Sequence, residues 1–195
     1  MELYIAYISD MTENDYNEYF TFLSEERKSA VLRMRSENDR KRSVLGEMLA
    51  RRGIAKRLGI CEREIAFKRS EKGKPFCTDA SVCFSISHSK NAVACVIDSD
   101  PIGLDIEKMR DIDLRITRIA CTDSDKEYIL GSEDENLRFF KVWTAKEAYF
   151  KYLGTGIESL KTVSYADIRK HCRTEIFGGY MLTVYSESGR NYTLK

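Results

Sequence analysis

Two acidic side chains in one short apolar run could bind a metal ion. Asp105 and Glu107 alternate within residues 102–107, and in a β-strand side chains two positions apart point to the same face. Two neighbouring carboxylates repel each other unless a cation or a proton lies between them. Carboxylate oxygens suit Mg²⁺, which keeps coordination positions for water and for substrate phosphate. Taken alone, however, such a pair is more typical of a solvated strand end.

A third carboxylate lies on the helix predicted over residues 136–153. Glu147 and Lys151 are four residues apart, so they share a helix face with Trp143. The ordinary interpretation of this spacing is a surface ion pair beside a core tryptophan. The functional interpretation is that Glu147 joins the first two carboxylates, with Lys146 and Lys151 beside it to bind phosphate oxygens.

Residues 85–89 combine three hydroxyls with one histidine after a predicted strand. Hydroxyl and backbone N–H groups at such a strand-to-loop corner could bind phosphate, and Ser87 and His88 are the candidate ligands. A Ser–His nucleophile pair is the rival interpretation, but adjacency in sequence is not the geometry that this chemistry needs. A histidine with a purely structural role is the third interpretation.

Two further cationic side chains are candidates for anion binding. Gly73 frees the backbone before Lys74 and Pro75 fixes it afterwards, so this turn could present an ammonium group rigidly to an anion. An ordinary exposed turn is the alternative. Arg42 belongs to a basic helical segment whose charges should mostly be solvated, but the apolar residues that follow it favour a position near the core.

The pattern of apolar residues predicts an α+β fold rather than regular βαβ units. Helical spacing extends from residue 25 to 58, and the runs at 82–87 and 92–97 predict two strands of a hairpin. Strand-like runs broken by glycine fill the tail from 174 to 194. No linker or internal repeat separates domains, and any two halves would join near Pro101.

Composition excludes several classes of protein. The chain has 195 residues, and its 32 Lys and Arg nearly balance its 31 Asp and Glu, so net charge gives no sign of a nucleic-acid partner. Neither a signal peptide nor an 18-residue apolar run is present, and we expect no membrane partner. Six cysteines without C-x-x-C spacing and only two histidines argue against structural zinc. We expect free thiols and a cytoplasmic protein.

Taken in order, these segments resemble the 4′-phosphopantetheinyl transferase family, specifically the monomeric type that activates peptide synthetases. The family's signatures correspond to the G-K-P turn at 73–75, the S-H-S corner at 87–89 with the acidic strand at 103–107, and W-x-x-K-E-x-x-x-K at 143–151. Residues 39–47 are similar to the family's helix that contacts coenzyme A. The resemblance extends over roughly residues 3 to 160.

The resemblance implies a pseudo-dimer of two similar α+β halves, about 1–100 and 101–195, with the active site between them and a monomeric protein. Coenzyme A would be the substrate, donating its 4′-phosphopantetheine arm to a serine of an apo acyl or peptidyl carrier protein and leaving adenosine 3′,5′-bisphosphate. Mg²⁺, or alternatively Mn²⁺, would be the cofactor. A magnesium-dependent nucleotide phosphohydrolase and a non-catalytic coenzyme A-binding module remain the alternatives.

The resemblance also implies individual roles. The metal ligands would be Asp105, Glu107 and Glu147. The catalytic residues would be Glu147, Lys151 and Asp105, with Glu147 as metal ligand, general base or both. The groups binding coenzyme A would be Arg42, Lys74, Ser87, His88, Lys146 and Lys151. Arg27 stands where many members have a basic phosphate contact, whereas the next expected basic position is Ala30.

A carrier protein is typically acidic around its serine, so a basic surface would attract it. The segment after the acidic strand has local positive charge, supplied by Arg110, Arg115, Arg118 and Lys126. We therefore predict that the carrier docks on this segment.

Overall fold

Residues 1–156 and 160–195 are described by the structure, which is a computed structural model. The strands are β1 (Glu2–Tyr7), β2 (Phe67–Arg69), β3 (Pro75–Cys77), β4 (Cys83–Ser89), β5 (Ala92–Asp98), β6 (Gly103–Lys108), β7 (Cys172–Phe177), β8 (Tyr180–Tyr185) and β9 (Thr193–Leu194). The α-helices are α1 (Glu13–Thr21), α2 (Glu25–Leu32), α3 (Glu37–Leu58), α4 (Thr117–Ala120), α5 (Asp123–Leu130), α6 (Glu135–Leu153) and α7 (Tyr165–Ile168).

Two sheets carry the fold. The first has the strand order β4-β5-β1-β9, in which β4, β5 and β1 pair antiparallel and β9 pairs parallel to β1. The second is an antiparallel sheet of order β6-β8-β7. Strands β2 and β3 form a separate hairpin. The predicted tail strands are therefore confirmed as β7 and β8.

Strand β5 is buried on both faces because a different layer covers each of them. Its residues Val93, Cys95 and Ile97 pack with apolar side chains of α3. The alternate residues of β5 pack instead with the second sheet, including Leu104 and Leu182. Because alternate side chains of β5 point to opposite faces, this strand packs against α3 on one side and the second sheet on the other, which makes one continuous core.

Helix α6 covers the second sheet much as α3 covers the first. Phe139 and Val142 pack with Met181 of β8, and Ala148 packs near Tyr185. Each half therefore consists of a sheet with one long helix on its outer face. This confirms the α+β fold and its two-half architecture.

The structure corrects two boundaries. The helical pattern predicted over 25–58 is divided into α2 and α3, because Ser36 caps α3 by accepting the N–H of Asp39. The predicted corner at 88–91 is shorter, since β4 includes Ser89 and the turn lies at Lys90, which has a positive φ of 53°. Within the described ranges, no helix combines the length and apolar character that crossing a bilayer requires.

Candidate active site

Strand β4 separates two sets of side chains, because alternate residues of a strand face opposite sides. Phe84, Ile86 and His88 line a pocket against α3. The hydroxyls of Ser85, Ser87 and Ser89 face β6 and accept its backbone N–H groups. The expectation that the Ser87 hydroxyl and the His88 ring act on one phosphate does not fit this arrangement, because a loop was predicted where the strand continues.

Asp105 is the centre of a buried polar cluster between the halves. Its Oδ1 accepts hydrogen bonds from Ser87 Oγ at 2.8 Å and from Lys151 Nζ at 2.8 Å. Lys151 Nζ also donates to Ser87 Oγ at 2.7 Å. The second oxygen, Oδ2, is buried and has no hydrogen-bond partner among the described residues. The structure thus brings β4, β6 and α6 together at one carboxylate.

Glu107 and Glu147 complete the acidic side of the cluster. Glu107 Oε2 accepts a hydrogen bond from Ser89 Oγ at 2.7 Å. Glu147 is 8% exposed. Burial raises its pKa to about 7, with a further increase from Asp105 and Glu107 and an opposing effect of Lys151. The pKa of Glu107 is also raised, chiefly by burial. Besides burial, the neighbouring carboxylates raise these pKa values, and Lys151 offsets that effect only in part.

The three carboxylates share the cluster but do not form a ready-made metal site. Within residues 1–156 and 160–195, no group of three or more His, Cys, Asp and Glu side chains converges as metal ligands. The ammonium group of Lys151 pairs with Asp105 instead. Binding a metal through all three carboxylates would require Glu147 and Lys151 to move relative to Asp105 and Glu107.

A groove with many cationic side chains lies on the α3 side of β4. Its first part is a pocket of about 630 Å³. Cationic and imidazole groups from four elements line it: Arg27, Arg42, Lys68, Arg69 and His88. Two glutamates, Glu26 and Glu47, also reach it, and Glu47 pairs with Arg27 at 3.1 Å. The excess of positive charge suits an anionic ligand.

The groove continues into a second pocket of about 340 Å³, which leads to the carboxylate cluster. Phe84 and Ile86 line both pockets, and Glu147 and Lys151 line the second. Lys74 lies here too, and its Nζ donates to the carbonyl of Tyr152 at 3.2 Å. Burial lowers the pKa of Lys74. One groove thus connects cations of the first half to carboxylates of the second.

Arg42 and His88 both line the first pocket, and both also line a further pocket that includes Glu107. Arg42 Nη1 donates to the carbonyl of Lys90 at 2.6 Å, and its second nitrogen pairs with Asp39. His88 keeps part of its surface exposed. Partial desolvation of its ring lowers its pKa, and the positive charges of Lys151 and Arg42 lower it further. A neutral imidazole at neutral pH donates one hydrogen bond and accepts another.

Lys146 lies outside the cluster, although it precedes Glu147 in the sequence. Its side chain is 1% exposed and pairs with Asp125. Its ammonium group also donates to the carbonyls of Ala120 at 3.1 Å and Leu160 at 2.8 Å. Successive helix residues differ by about 100° in direction, so Glu147 reaches the cluster while Lys146 points toward α4 and α5. The expected contact of Lys146 with a diphosphate does not fit this position.

We expect Lys146→Met to lower the free energy of unfolding by about 3–5 kcal/mol, because it leaves a buried carboxylate without its cation. Burial alone raises the pKa of Asp125, but hydrogen bonds, first from Lys146 and then from the Tyr165 and Thr122 N–H groups, lower it overall. Thermal unfolding measures the loss, roughly 6–20 °C in melting temperature. Lys146→Met with Asp125→Asn should recover part of it. Unchanged stability with weaker coenzyme A binding would contradict this structural role.

Two cationic residues of the first pocket, Lys68 and Arg69, were not predicted from the sequence. They lie on β2, and Arg69 Nη1 donates to the carbonyl of Gly73 at 2.7 Å. Burial and the neighbouring Arg27 lower the pKa of Arg69. The signal was two consecutive basic residues, six and five positions before Lys74, in a hairpin that brings both ends of the turn to one groove.

A cationic groove that ends at buried carboxylates suits a phosphate-bearing ligand, and comparisons with known proteins identify the family. A family model described as 4′-phosphopantetheinyl transferase, N-terminal, matches residues 10–100, and the 4′-phosphopantetheinyl transferase superfamily model matches 101–189. The chain is 33% identical to 4′-phosphopantetheinyl transferase gsp of Aneurinibacillus migulanus, over 91% of this chain and 82% of that protein.

A second relative is 4′-phosphopantetheinyl transferase Sfp of Bacillus subtilis (strain 168), which is 32% identical over 80% of this chain and 72% of its own length. The chain belongs to the 4′-phosphopantetheinyl transferase family. The resemblance inferred from its motifs is therefore confirmed.

Proposed function

We propose that this chain transfers the 4′-phosphopantetheine arm of coenzyme A to a serine of an apo acyl or peptidyl carrier protein. The product besides the holo carrier is adenosine 3′,5′-bisphosphate. The observation that supports this most is the continuous groove from the cations of the first half to the carboxylates of the second. Coenzyme A has a 3′-phosphate and a diphosphate, and such a groove offers complementary charge to both.

Different residues of the groove would bind different parts of coenzyme A. Arg42 and His88, with Arg27 and Arg69, would bind the 3′-phosphate and adenosine end, where the positive charge is greatest. Lys74 would hold the middle of the ligand from the second pocket. Because Lys151 already faces the carboxylates, it would neutralise charge that develops on the diphosphate during transfer.

Mg²⁺ fits the chemistry of the cluster, since the available donors are carboxylate oxygens and Oδ2 of Asp105 is a buried acceptor without a partner in the described part of the chain. Asp105 and Glu107 would hold the ion, and Glu147 would complete the set whenever it is not acting as base. When bound, the ion would neutralise diphosphate charge. Mn²⁺ offers similar ligand preferences.

The reaction needs positioning and charge stabilisation more than covalent chemistry. The carrier serine Oγ forms a bond to the phosphorus on the pantetheine side, the bond from that phosphorus to the bridging oxygen breaks, and adenosine 3′,5′-bisphosphate leaves. The hydroxyl proton passes to Glu147, whose pKa of about 7 suits a base near neutral pH. A carboxylate that binds a cation is a weaker base, so the two roles of Glu147 compete.

Incubation of the protein with coenzyme A, Mg²⁺ and an apo carrier tests this function by mass spectrometry. We expect the carrier to gain the mass of one phosphopantetheine group and adenosine 3′,5′-bisphosphate to appear in equal amount. Release of free phosphate from a nucleotide with an unmodified carrier would instead indicate a phosphohydrolase. Coenzyme A binding without any product would indicate a binding module.

We propose that the carrier docks on the segment around α4. Ile119 is 75% exposed there and Ile116 36%, and exposed Arg118 lies between them in the sequence. Arg110, just after β6, lines a pocket together with Glu107, which connects this segment to the carboxylate cluster. A mixed apolar and basic surface suits the acidic carrier. Both halves of the groove come from one chain, so we propose that the protein acts as a monomer. We also propose that it is cytoplasmic, because its described cysteines are free thiols.

Charge reversal at Arg118 tests this docking surface. We expect Arg118→Glu to raise the carrier's Michaelis constant about tenfold, mainly by slowing association, and to change its dependence on salt. Arg115 is a weaker choice because it already pairs with Asp113. Lys56→Glu, an exposed position on α3, is the matched control. Equal Michaelis constants for the two variants would count against docking at α4.

A further inference from the structure

A row of three serine hydroxyls joins the two sheets. Backbone N–H groups of Leu104, Ile106 and Lys108 on β6 donate to Ser85, Ser87 and Ser89 on β4, at 3.1, 3.3 and 3.1 Å. The two strands belong to different sheets and share no backbone ladder. The offset of 19 residues is constant along the row. The hydroxyls therefore satisfy the outer edge of β6, as the backbone of a neighbouring strand would.

Two of these serines also donate a hydrogen bond from their hydroxyl group to a carboxylate. Ser87 Oγ donates to Oδ1 of Asp105 at 2.8 Å, and Ser89 Oγ donates to Oε2 of Glu107 at 2.7 Å. Each serine is therefore both an acceptor for the β6 backbone and a donor to a β6 side chain, which holds that side chain relative to its own strand. Among the described residues, Ser85 has the backbone contact and no carboxylate partner.

In each of these two carboxylates, one oxygen therefore accepts a hydrogen bond and the other has no hydrogen-bond partner among the described residues. On Asp105, Oδ1 is taken by Ser87 and Lys151, whereas Oδ2 is buried and has no partner within the described ranges. Glu107 is bound through Oε2 alone among the contacts of the described residues. A hydroxyl that fixes one oxygen thereby fixes the direction in which the other points.

We propose that Ser87 and Ser89 are positioning residues, which aim the free oxygens of Asp105 and Glu107 at the cation that the proposed transfer uses. Ser85 is the structural member of the same row. The inference rests on the proposed function for the identity of the cation, but the contacts that carry it lie within this chain. Partners of this kind, one shell outside a ligand, typically change metal affinity by about 10–100-fold.

The test compares Ser85→Ala, Ser87→Ala and Ser89→Ala in the full-length protein. Each removes an acceptor from a β6 N–H group, so all three should melt about 2–10 °C lower than the unchanged protein. Mn²⁺ is the probe, titrated with and without saturating coenzyme A and followed by the electron paramagnetic resonance signal of the free ion. We expect half-saturation to rise about 10–100-fold for Ser87→Ala and Ser89→Ala and less than about twofold for Ser85→Ala.

Equal Mn²⁺ affinity in the three variants, or no Mn²⁺ binding by the unchanged protein, would overturn the positioning role. Should Ser87→Ala fail to fold, Ser89→Ala measured against Ser85→Ala decides the question. Failure of the proposed function is a separate result: the unchanged protein would bind Mn²⁺ in the expected pattern but leave an apo carrier unmodified. Carrier modification without the expected pattern would retain the function and remove the positioning role.

Discussion

Glu147→Gln should lower the rate of phosphopantetheine transfer by about 10³-fold at saturating coenzyme A and carrier, which is within the range for loss of a general base. The glutamine keeps the shape of the side chain but neither accepts the serine proton nor contributes charge to the cluster. Single-turnover measurement of holo carrier by mass spectrometry gives the rate. Glu135→Gln makes the same chemical change on the same helix, and we expect less than a threefold effect.

The same substitution should stabilise the protein in the absence of metal. The pKa of Glu147 is about 7 in the folded protein, above its ordinary value of 4.5. The folded state therefore binds more protons between these values, so ionisation of Glu147 costs stability progressively as pH rises through this window and by a constant amount above it. The shift corresponds to roughly 3 kcal/mol.

We accordingly expect Glu147→Gln to melt roughly 6–12 °C above the unchanged protein near pH 8 with a chelator present. The difference should vanish toward about pH 3, below the pKa of the unfolded chain, where the carboxyl group is neutral in both states. Added Mg²⁺ with coenzyme A should narrow the difference, because the carboxylates then have a cation. A glutamine variant that is less stable at every pH would show that Glu147 is held by favourable contacts instead.

Gly103→Ala should have the largest effect on stability. A Cβ atom at this position would lie 1.9 Å from the carbonyl oxygen of Ala148 and 2.6 Å from the backbone nitrogen of Tyr152. Both atoms belong to the backbone of α6, so no side-chain rotation relieves the contact. Displacement of α6 from β6 would lower the free energy of unfolding by at least about 4 kcal/mol, which is about 8–16 °C in melting temperature.

The same displacement would remove Glu147 and Lys151 from Asp105, so we expect transfer to be lost even at temperatures where the variant remains folded. Gly46→Ala is the control, because its Cβ would meet only side-chain atoms, those of Ile86 at 3.0 Å and Val93 at 3.5 Å. Helix propensity offsets that contact by roughly 1 kcal/mol. Circular dichroism of both variants measures the difference. Wild-type melting of Gly103→Ala would contradict the close packing of α6 on β6.

Local periodicity was enough to predict which side chains of one element act together. Alternation placed Asp105 and Glu107 on one face of β6, and helical spacing placed Glu147 and Lys151 together on α6. The order of the motifs along the chain was enough to indicate the family. These properties depend on neighbours in the sequence, so the sequence contains them directly.

Periodicity does not determine what each face meets. Ser87 and His88 are adjacent, and the strand continues two residues beyond its predicted end at 87, which directs the serine to β6 and the histidine to the groove. Lys146 and Glu147 are adjacent too, and the packing of α4 and α5 on one side of α6 turns the lysine into a buried structural cation.

The sequence by itself therefore determined the α+β fold, the acidic strand, the acidic helix and the family, and the resemblance to that family implied the two halves. The tertiary structure alone decided that Arg27 and Arg69 share a pocket with Arg42, and that Lys151 bridges β4 and β6 at Asp105. The physical reason is that these contacts join segments distant in the chain. Their geometry depends on how two sheets and two helices pack, which no local spacing encodes.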